Sequence, residues 1–263
     1  MCGIAGYSVS AGSKVERTLA AQALLAGIAE RGADAAGYAH RSPGGPLEVL
    51  KQRRGASVLL ERLRIPGDAT EVLLHVRDYT KGHPTIDANN HPVRHGAVAG
   101  VHNGHIYNDD ELMAAHGFER AEPAMTVDSE AIFALAERFE NEPEALEQLR
   151  GSLAAAWLDD RRDGTLYCAR GSGRPLWIGE GDEATFFAST RKALEVVEQY
   201  TPVSLEKEEL PEGTLLAVAE GRVVASERFT PNRAYSERPR PPVRAPHEGR
   251  SCLELLAALA AAA

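Results

Sequence analysis

The chain has 263 residues, 43% hydrophobic and 25% charged, enough apolar material for a sizeable core. Its 29 Lys and Arg against 38 Asp and Glu leave a net charge of −9, which argues against nucleic-acid or anionic-membrane partners. No apolar run approaches the roughly 18 residues needed to cross a bilayer, and no basic, apolar leader opens the chain. Cys2, Cys168 and Cys252 form neither a disulfide framework nor a zinc pattern. A secreted scaffold, a membrane protein and a fibrous protein are excluded, and the expectation is a cytoplasmic soluble protein.

In chain order, residues 4–9 predict a first strand. Ser13 and Glu16 have capping-box spacing, Val15, Leu19, Leu25 and Ile28 follow at roughly helical spacing, and Gly32 sits where a C-cap would end that helix. A shorter helix is expected over 57–64, and strands over 72–76 and 97–102. From Asp128 an acidic start leads into an apolar stripe through Ile132, Leu135 and Phe139, a further helix. Strands are expected over 153–158, 165–169, 185–188, 214–218 and 222–225. Tight turns at Gly164 and Gly221 favour antiparallel pairing, and there is no run of βαβ units. The fold class is therefore α+β in one domain, residues 1–228.

Residues 228–250 hold six arginines against two glutamates, with Pro231, Pro239, Pro241, Pro242 and Pro246. Residues 229–250 are expected as an extended Pro/Arg-rich linker. Residues 251–263 follow as a short apolar helix, too short to span a membrane. It either folds back on its own domain or serves as a tethered docking peptide for a partner. Cys168 is expected as buried packing and Cys252 as exposed on the tail.

Four places carry residues suited to chemistry. Removal of Met1 would make Cys2 the first residue, and its amine (about 7.7–8.0) and thiol (near 8.5) would supply base and nucleophile together. Taken alone, Met-Cys is an accident of the start codon. Asn103-Gly104 after a strand is either a hairpin turn or a pair of donors aimed at a developing oxyanion. Arg77 at a strand end is either a surface ion-pair partner or a clamp for a substrate carboxylate. Asp128 is either a helix cap or the partner of a substrate ammonium. Six of nine histidines lie between His75 and His105, but Pro92 breaks the helix that would pair His91 with His95. No metal site and no cofactor are expected.

Eight segments in order carry a resemblance. They are Met-Cys-Gly-Ile-Ala-Gly at the start, Arg-Gly-Ala-Asp-Ala-Ala-Gly at 31–37, and His-Val-Arg-Asp-Tyr-Thr-Lys-Gly at 75–82 with Asn-His-Pro at 90–92. Then come Val-His-Asn-Gly-His-Ile-Tyr-Asn at 101–108, Thr-Val-Asp-Ser-Glu at 126–130 and Gly-Ser-Leu-Ala-Ala-Ala-Trp at 151–157. Ala-Arg at 169–170 with Arg-Pro-Leu at 174–176, and Phe-Ala-Ser-Thr-Arg-Lys-Ala-Leu at 187–194, complete the set. Over about residues 2–220 the chain resembles the class II glutamine amidotransferase domain of the N-terminal nucleophile (Ntn) hydrolases.

The resemblance implies a four-layer αββα sandwich of two antiparallel sheets. It implies that Cys2 is the nucleophile, that Asn103 and Gly104 form the oxyanion hole, and that Arg31 supports catalysis. Arg77 would hold the α-carboxylate of glutamine, Asp128 its α-ammonium, and Thr80 would lie near the cleft. The implied reaction releases ammonia from the glutamine side chain through a γ-glutamyl thioester. A separate acceptor protein, for which the C-terminal tail is the candidate docking element, would use the ammonia. Two departures stand out: where the family often has an aromatic or apolar residue and then a small one, this chain has Asp78 and Tyr79. An acid at 78 could compete for Arg77. The alternatives are an Ntn-type hydrolase of another amide and a non-catalytic binding or assembly module that keeps the fold.

Overall fold

The strand expected first is β1 (Gly3–Val9), and all seven of its residues are buried. A strand buried along its whole length must be covered on both faces and flanked on both edges. The computed structural model, which describes residues 2–238 and 241–262, shows how this is done. Met1, whose removal the sequence reading invokes, and Pro239 and Arg240 of the expected linker lie outside the described residues.

After β1 come α1 (Arg17–Ile28), β2 (Ala35–Arg41), β3 (Glu48–Gln52), α2 (Ala56–Leu60) and β4 (Glu71–Arg77). Next are β5 (Val93–His95), β6 (Val98–Ile106), α3 (Asp109–His116), α4 (Glu130–Arg138), β7 (Gly151–Asp159) and β8 (Thr165–Arg170). The chain continues through β9 (Trp177–Gly181), β10 (Ala184–Ala188), α5 (Arg191–Tyr200), β11 (Glu206–Glu209), β12 (Thr214–Ala219) and β13 (Arg222–Arg228) to α6 (Pro246–Ala262).

One sheet has the order β11-β9-β10-β1-β4-β2-β3 and the other β13-β12-β8-β7-β6-β5. The named strands pair antiparallel throughout. Alternation along each strand divides the core into three apolar layers. Ile4, Leu73, Val101, Ala156 and Phe187 meet between the sheets. On the outer face of the first sheet, Ala5 and Tyr7 pack under Leu24 and Ile28 of α1 and Leu194 of α5. On the outer face of the second, Trp157 packs with Phe133 and Ile132 of α4. The fold is thus α+β, a four-layer αββα sandwich, as the resemblance implied. Gly164 and Gly221 sit at positive φ in the β7–β8 and β12–β13 turns, a conformation that glycine adopts without strain.

Some local expectations are corrected. The cap of α1 is Glu16, whose carboxylate accepts from the Thr18 and Leu19 amides, so the cap lies three residues after the expected Ser13. Gly32 is not a left-handed cap. Its backbone is extended, and a Cβ there would lie 2.3 Å from the Arg77 carbonyl carbon. Glycine is needed because the end of β4 passes against it.

At the C-terminus the helix begins at Pro246, five residues earlier than expected. Cys252 and Leu256 are fully buried in the layer built on α1, so Cys252 is not exposed. The apolar stripe of α6 therefore folds back on its own domain, the first of the two arrangements considered. Among the described residues, no helix is long and apolar enough to cross a membrane.

Candidate active site

Register brings the site together. Gly3 of β1 stands opposite Val76 of β4, so Cys2 and Arg77 leave neighbouring antiparallel strands side by side. The Cys2 thiol donates to the backbone carbonyl of Asp78 at 3.5 Å, and the Cys2 carbonyl accepts from Arg31 Nε at 2.8 Å. Burial pushes the thiol pKa up, and the Arg77 charge works against that rise.

Arg77 is buried and ties down the loop that follows it. Nη1 donates to Asn90 Oδ1 at 2.5 Å, while Nη2 donates to the Lys81 carbonyl at 2.9 Å and to the Gly82 carbonyl. Burial lowers its pKa, whereas Cys2 and Asp128 favour its charge. The surface ion-pair reading is thereby set aside. The acid at position 78 has a cation of its own, since its carboxylate lies 3.3 Å from Arg244 Nε.

Asp128 precedes α4 but does not cap it with its side chain. Its Oδ2 accepts from the Ile106 amide at 2.7 Å, tying the start of α4 to the end of β6. Burial raises its pKa, and His105, 3.7 Å away, opposes the rise.

Asn103 and Gly104 are not a hairpin turn. They lie inside β6, opposite Ala154 and Leu153 of β7. Asn103 is buried, yet neither its side-chain nitrogen nor its oxygen has a hydrogen-bond partner among the described residues. Such an amide is costly to leave unpaired. At Gly104 a Cβ would fall 1.9 Å from the Ser152 carbonyl and 2.4 Å from His102 Nε2, so no larger residue fits.

Cys2, Arg77, Thr80, Gly104 and Asp128 line one narrow cleft, with His91, His102 and Ser129. Thr80 is exposed, 3.4 Å from His105 Nδ1. Asn103 and Arg31 flank this cleft, Asn103 beside Gly104 and Arg31 on the Cys2 carbonyl. Arg31 Nη2 is buried and has no hydrogen-bond partner among the described residues. Larger hollows lie against His95 and Glu137 and against Lys14 and Asp182, but neither is lined by a cysteine.

Histidines and asparagines to which the sequence assigned no role build the walls. The rings of His75 and His91 stack at 4.1 Å. His102 lies between Ser129 Oγ at 2.9 Å from Nδ1 and the Ser152 carbonyl at 3.2 Å from Nε2. Burial, aided by Arg77, pushes His75 down to about 3, and burial pushes His102 to about 3. Both are neutral parts of the scaffold. Asn89 Oδ1 accepts from the Thr126 and Val127 amides, joining the loop after β4 to the segment before α4. The excess of histidine over 75–105 was the available signal, but spacing along the chain does not reveal stacking across strands.

A family model described as "Glutamine amidotransferase domain" matches residues 75–196. Glutamine–fructose-6-phosphate aminotransferase (isomerizing) of Geobacillus kaustophilus is 31% identical over 237 residues, 85% of this chain and 36% of that protein. The enzyme of the same name from Chlorobaculum tepidum is 33% identical over 208 residues, covering 72% and 32%. This chain carries a class II glutamine amidotransferase domain.

It spans about a third of the length of the curated relatives it matches. The solved structure of glutamine phosphoribosylpyrophosphate amidotransferase from B. subtilis superposes on this domain with a TM-score of 0.69 at 21% identity. The match covers 87% of this chain and 49% of that one, and it supports the Ntn fold. The amidotransferase domain thus has its candidate nucleophile at the start of a central strand, at the mouth of the space between the sheets.

Proposed function

We propose that this amidotransferase domain is a cytoplasmic glutaminase, hydrolysing the glutamine side-chain amide to glutamate and ammonia through Cys2. The observation that carries the reading is one cleft lined by a thiol, the buried cation Arg77 and the buried acid Asp128. An amino-acid zwitterion needs that cation and that anion at its α end, with the nucleophile at its far end.

In this reading, removal of Met1 frees the Cys2 amine. The amine takes the thiol proton, and the sulfur attacks the side-chain carbonyl carbon of glutamine. The carbonyl oxygen gains charge and is met by the Asn103 amide and the Gly104 N–H. The unpartnered Asn103 side chain supports this role. As the tetrahedral centre collapses, the C–N bond breaks and the amine delivers its proton to the departing nitrogen, releasing ammonia. A water, deprotonated by the same amine, then splits the thioester, giving glutamate and restoring the thiol. Arg77 holds the α-carboxylate and Asp128 the α-ammonium. Thr80 lines the cleft beside them, and Arg31 fixes the Cys2 backbone through its carbonyl.

We extend the proposal to a separate acceptor protein that takes up the ammonia. Because α6 buries its apolar stripe on its own domain, the outer face of the tail is the part left to meet a partner. Release of glutamate and ammonia from glutamine by the Met1-free protein, lost in Cys2→Ala, tests the central step. If glutamine is inert while another amide turns over, the reading passes to an Ntn-type hydrolase of that amide. If partner binding survives Cys2→Ala and no amide turns over, it passes to a binding module.

A further inference from the structure

The described parts of the segment expected as an extended linker, 229–238 and 241–245, contact the domain beside the site. Tyr235 Oη lies 3.1 Å from Ser172 Oγ, and Glu237 pairs with Arg174. At its far end the segment meets both walls of the Cys2 position. Arg244 Nε lies 3.3 Å from the carboxylate of Asp78, whose own carbonyl accepts the Cys2 thiol. The Arg244 and Ala245 amides both donate to the Glu30 carbonyl at 2.9 Å. The next residue, Arg31, donates from Nε to the Cys2 carbonyl at 2.8 Å.

The helix beyond Ala245 is firmly seated. Glu248 accepts from the Ser57 amide at 2.9 Å and hydroxyl at 3.1 Å, and Cys252 and Leu256 are buried. The two groups that fix the Cys2 thiol and carbonyl are therefore both tied to one point, itself anchored by α6.

We infer that Arg244 is a positioning residue for the Cys2 nucleophile, acting through Asp78 and Glu30. The inference rests on the proposed glutaminase reading for its role in turnover. It also accounts for the departure at position 78: the acid there is the socket for an arginine from the C-terminal segment. Such second contacts hold a nucleophile within the tolerance catalysis needs.

The test uses full-length, Met1-free protein and the variants Arg244→Ala, Arg244→Lys, Asp78→Asn and the Arg244→Ala/Asp78→Asn double. Two quantities are read: kcat and KM for glutamine, and the rate at which iodoacetamide alkylates Cys2, located by peptide mass. Arg244→Ala is expected to lower kcat about tenfold or more, the scale of a small misplacement, with KM within about twofold, because the substrate clamps are untouched. The alkylation rate at Cys2 changes with it. Arg244→Lys restores most of the loss. The double variant is no worse than Asp78→Asn, because the two side chains share one contact and the Arg244 amide on Glu30 is kept in every variant.

Unchanged kcat and alkylation in Arg244→Ala, or fully additive losses in the double variant, overturn the inference while leaving the glutaminase reading in place. Wild-type protein inert to glutamine whose Cys2 alkylation still depends on Arg244 overturns the glutaminase reading and upholds the positioning.

Discussion

The thiol of Cys2 lies 3.5 Å from the backbone carbonyl of Asp78, one residue beyond the ends of two neighbouring antiparallel strands. The proposed nucleophile is thereby held by sheet register and not by a loop of its own. The same register sets Arg77 beside it, and Arg77 in turn pins the following loop through Asn90, Lys81 and Gly82.

Asn103→Ala should lower kcat for glutamine by about a hundredfold to a thousandfold, the usual loss of one oxyanion donor. Because removing a buried amide that bonds to none of the described residues relieves its desolvation cost, stability should not fall by more than about 1 kcal/mol. Steady-state kinetics beside urea denaturation check both halves.

Gly104→Ala should fail differently. A Cβ 1.9 Å from the Ser152 carbonyl forces β6 away from β7, and the expected cost is about 3 kcal/mol or more. The midpoint of denaturant unfolding reads this directly.

Asp128→Asn should raise KM for glutamine at least about tenfold, while an analogue lacking the α-ammonium loses little. The pH dependence comes from the buried acid. Ammonium binding needs the ionised form, and burial raises the pKa. As pH falls, KM in the wild-type protein should therefore rise earlier than an ordinary carboxylate, near 4, would make it. A KM–pH profile against the Asp128→Asn profile, which should lack that limb, checks the sign.

The layers of the fold were legible in the sequence because apolar runs mark β1, β4 and β7 as buried strands and glycines mark the tight turns. The chemistry proposed for Cys2, Arg77 and Asp128 was legible only in company, since each residue type has an ordinary structural role. At Asn103-Gly104 the local turn signal pointed the wrong way. Pairing with β7 overrides it, and Gly104 is required by the Ser152 carbonyl opposite, not by a bend. The contacts of residues 229–238 and 241–245 were not legible, because the proline content there reads as extension. The ion pair of Arg244 with Asp78 and the amides on Glu30 are long-range contacts with no signature in composition.

The buried histidines give a stability prediction. His102 is neutral in the fold, with its pKa near 3 against an ordinary 6.5. Its depressed value means that stability is fully present above about 6.5 and is lost as pH falls toward 3, at roughly 1.4 kcal/mol per pH unit. His102→Gln, which keeps both a donor and an acceptor, should remove about that much slope between pH 6 and 4 in urea titrations.

The central claim is that Cys2 is an N-terminal nucleophile in a glutamine-binding cleft. Its most direct test is the intact mass of the purified protein before and after 6-diazo-5-oxo-norleucine, a glutamine-like electrophile, with Cys2→Ala as control. The account predicts a chain lacking Met1 that gains one adduct, located on Cys2 and absent from the control. A chain that keeps Met1, or a trimmed chain that takes no adduct at Cys2, would contradict it.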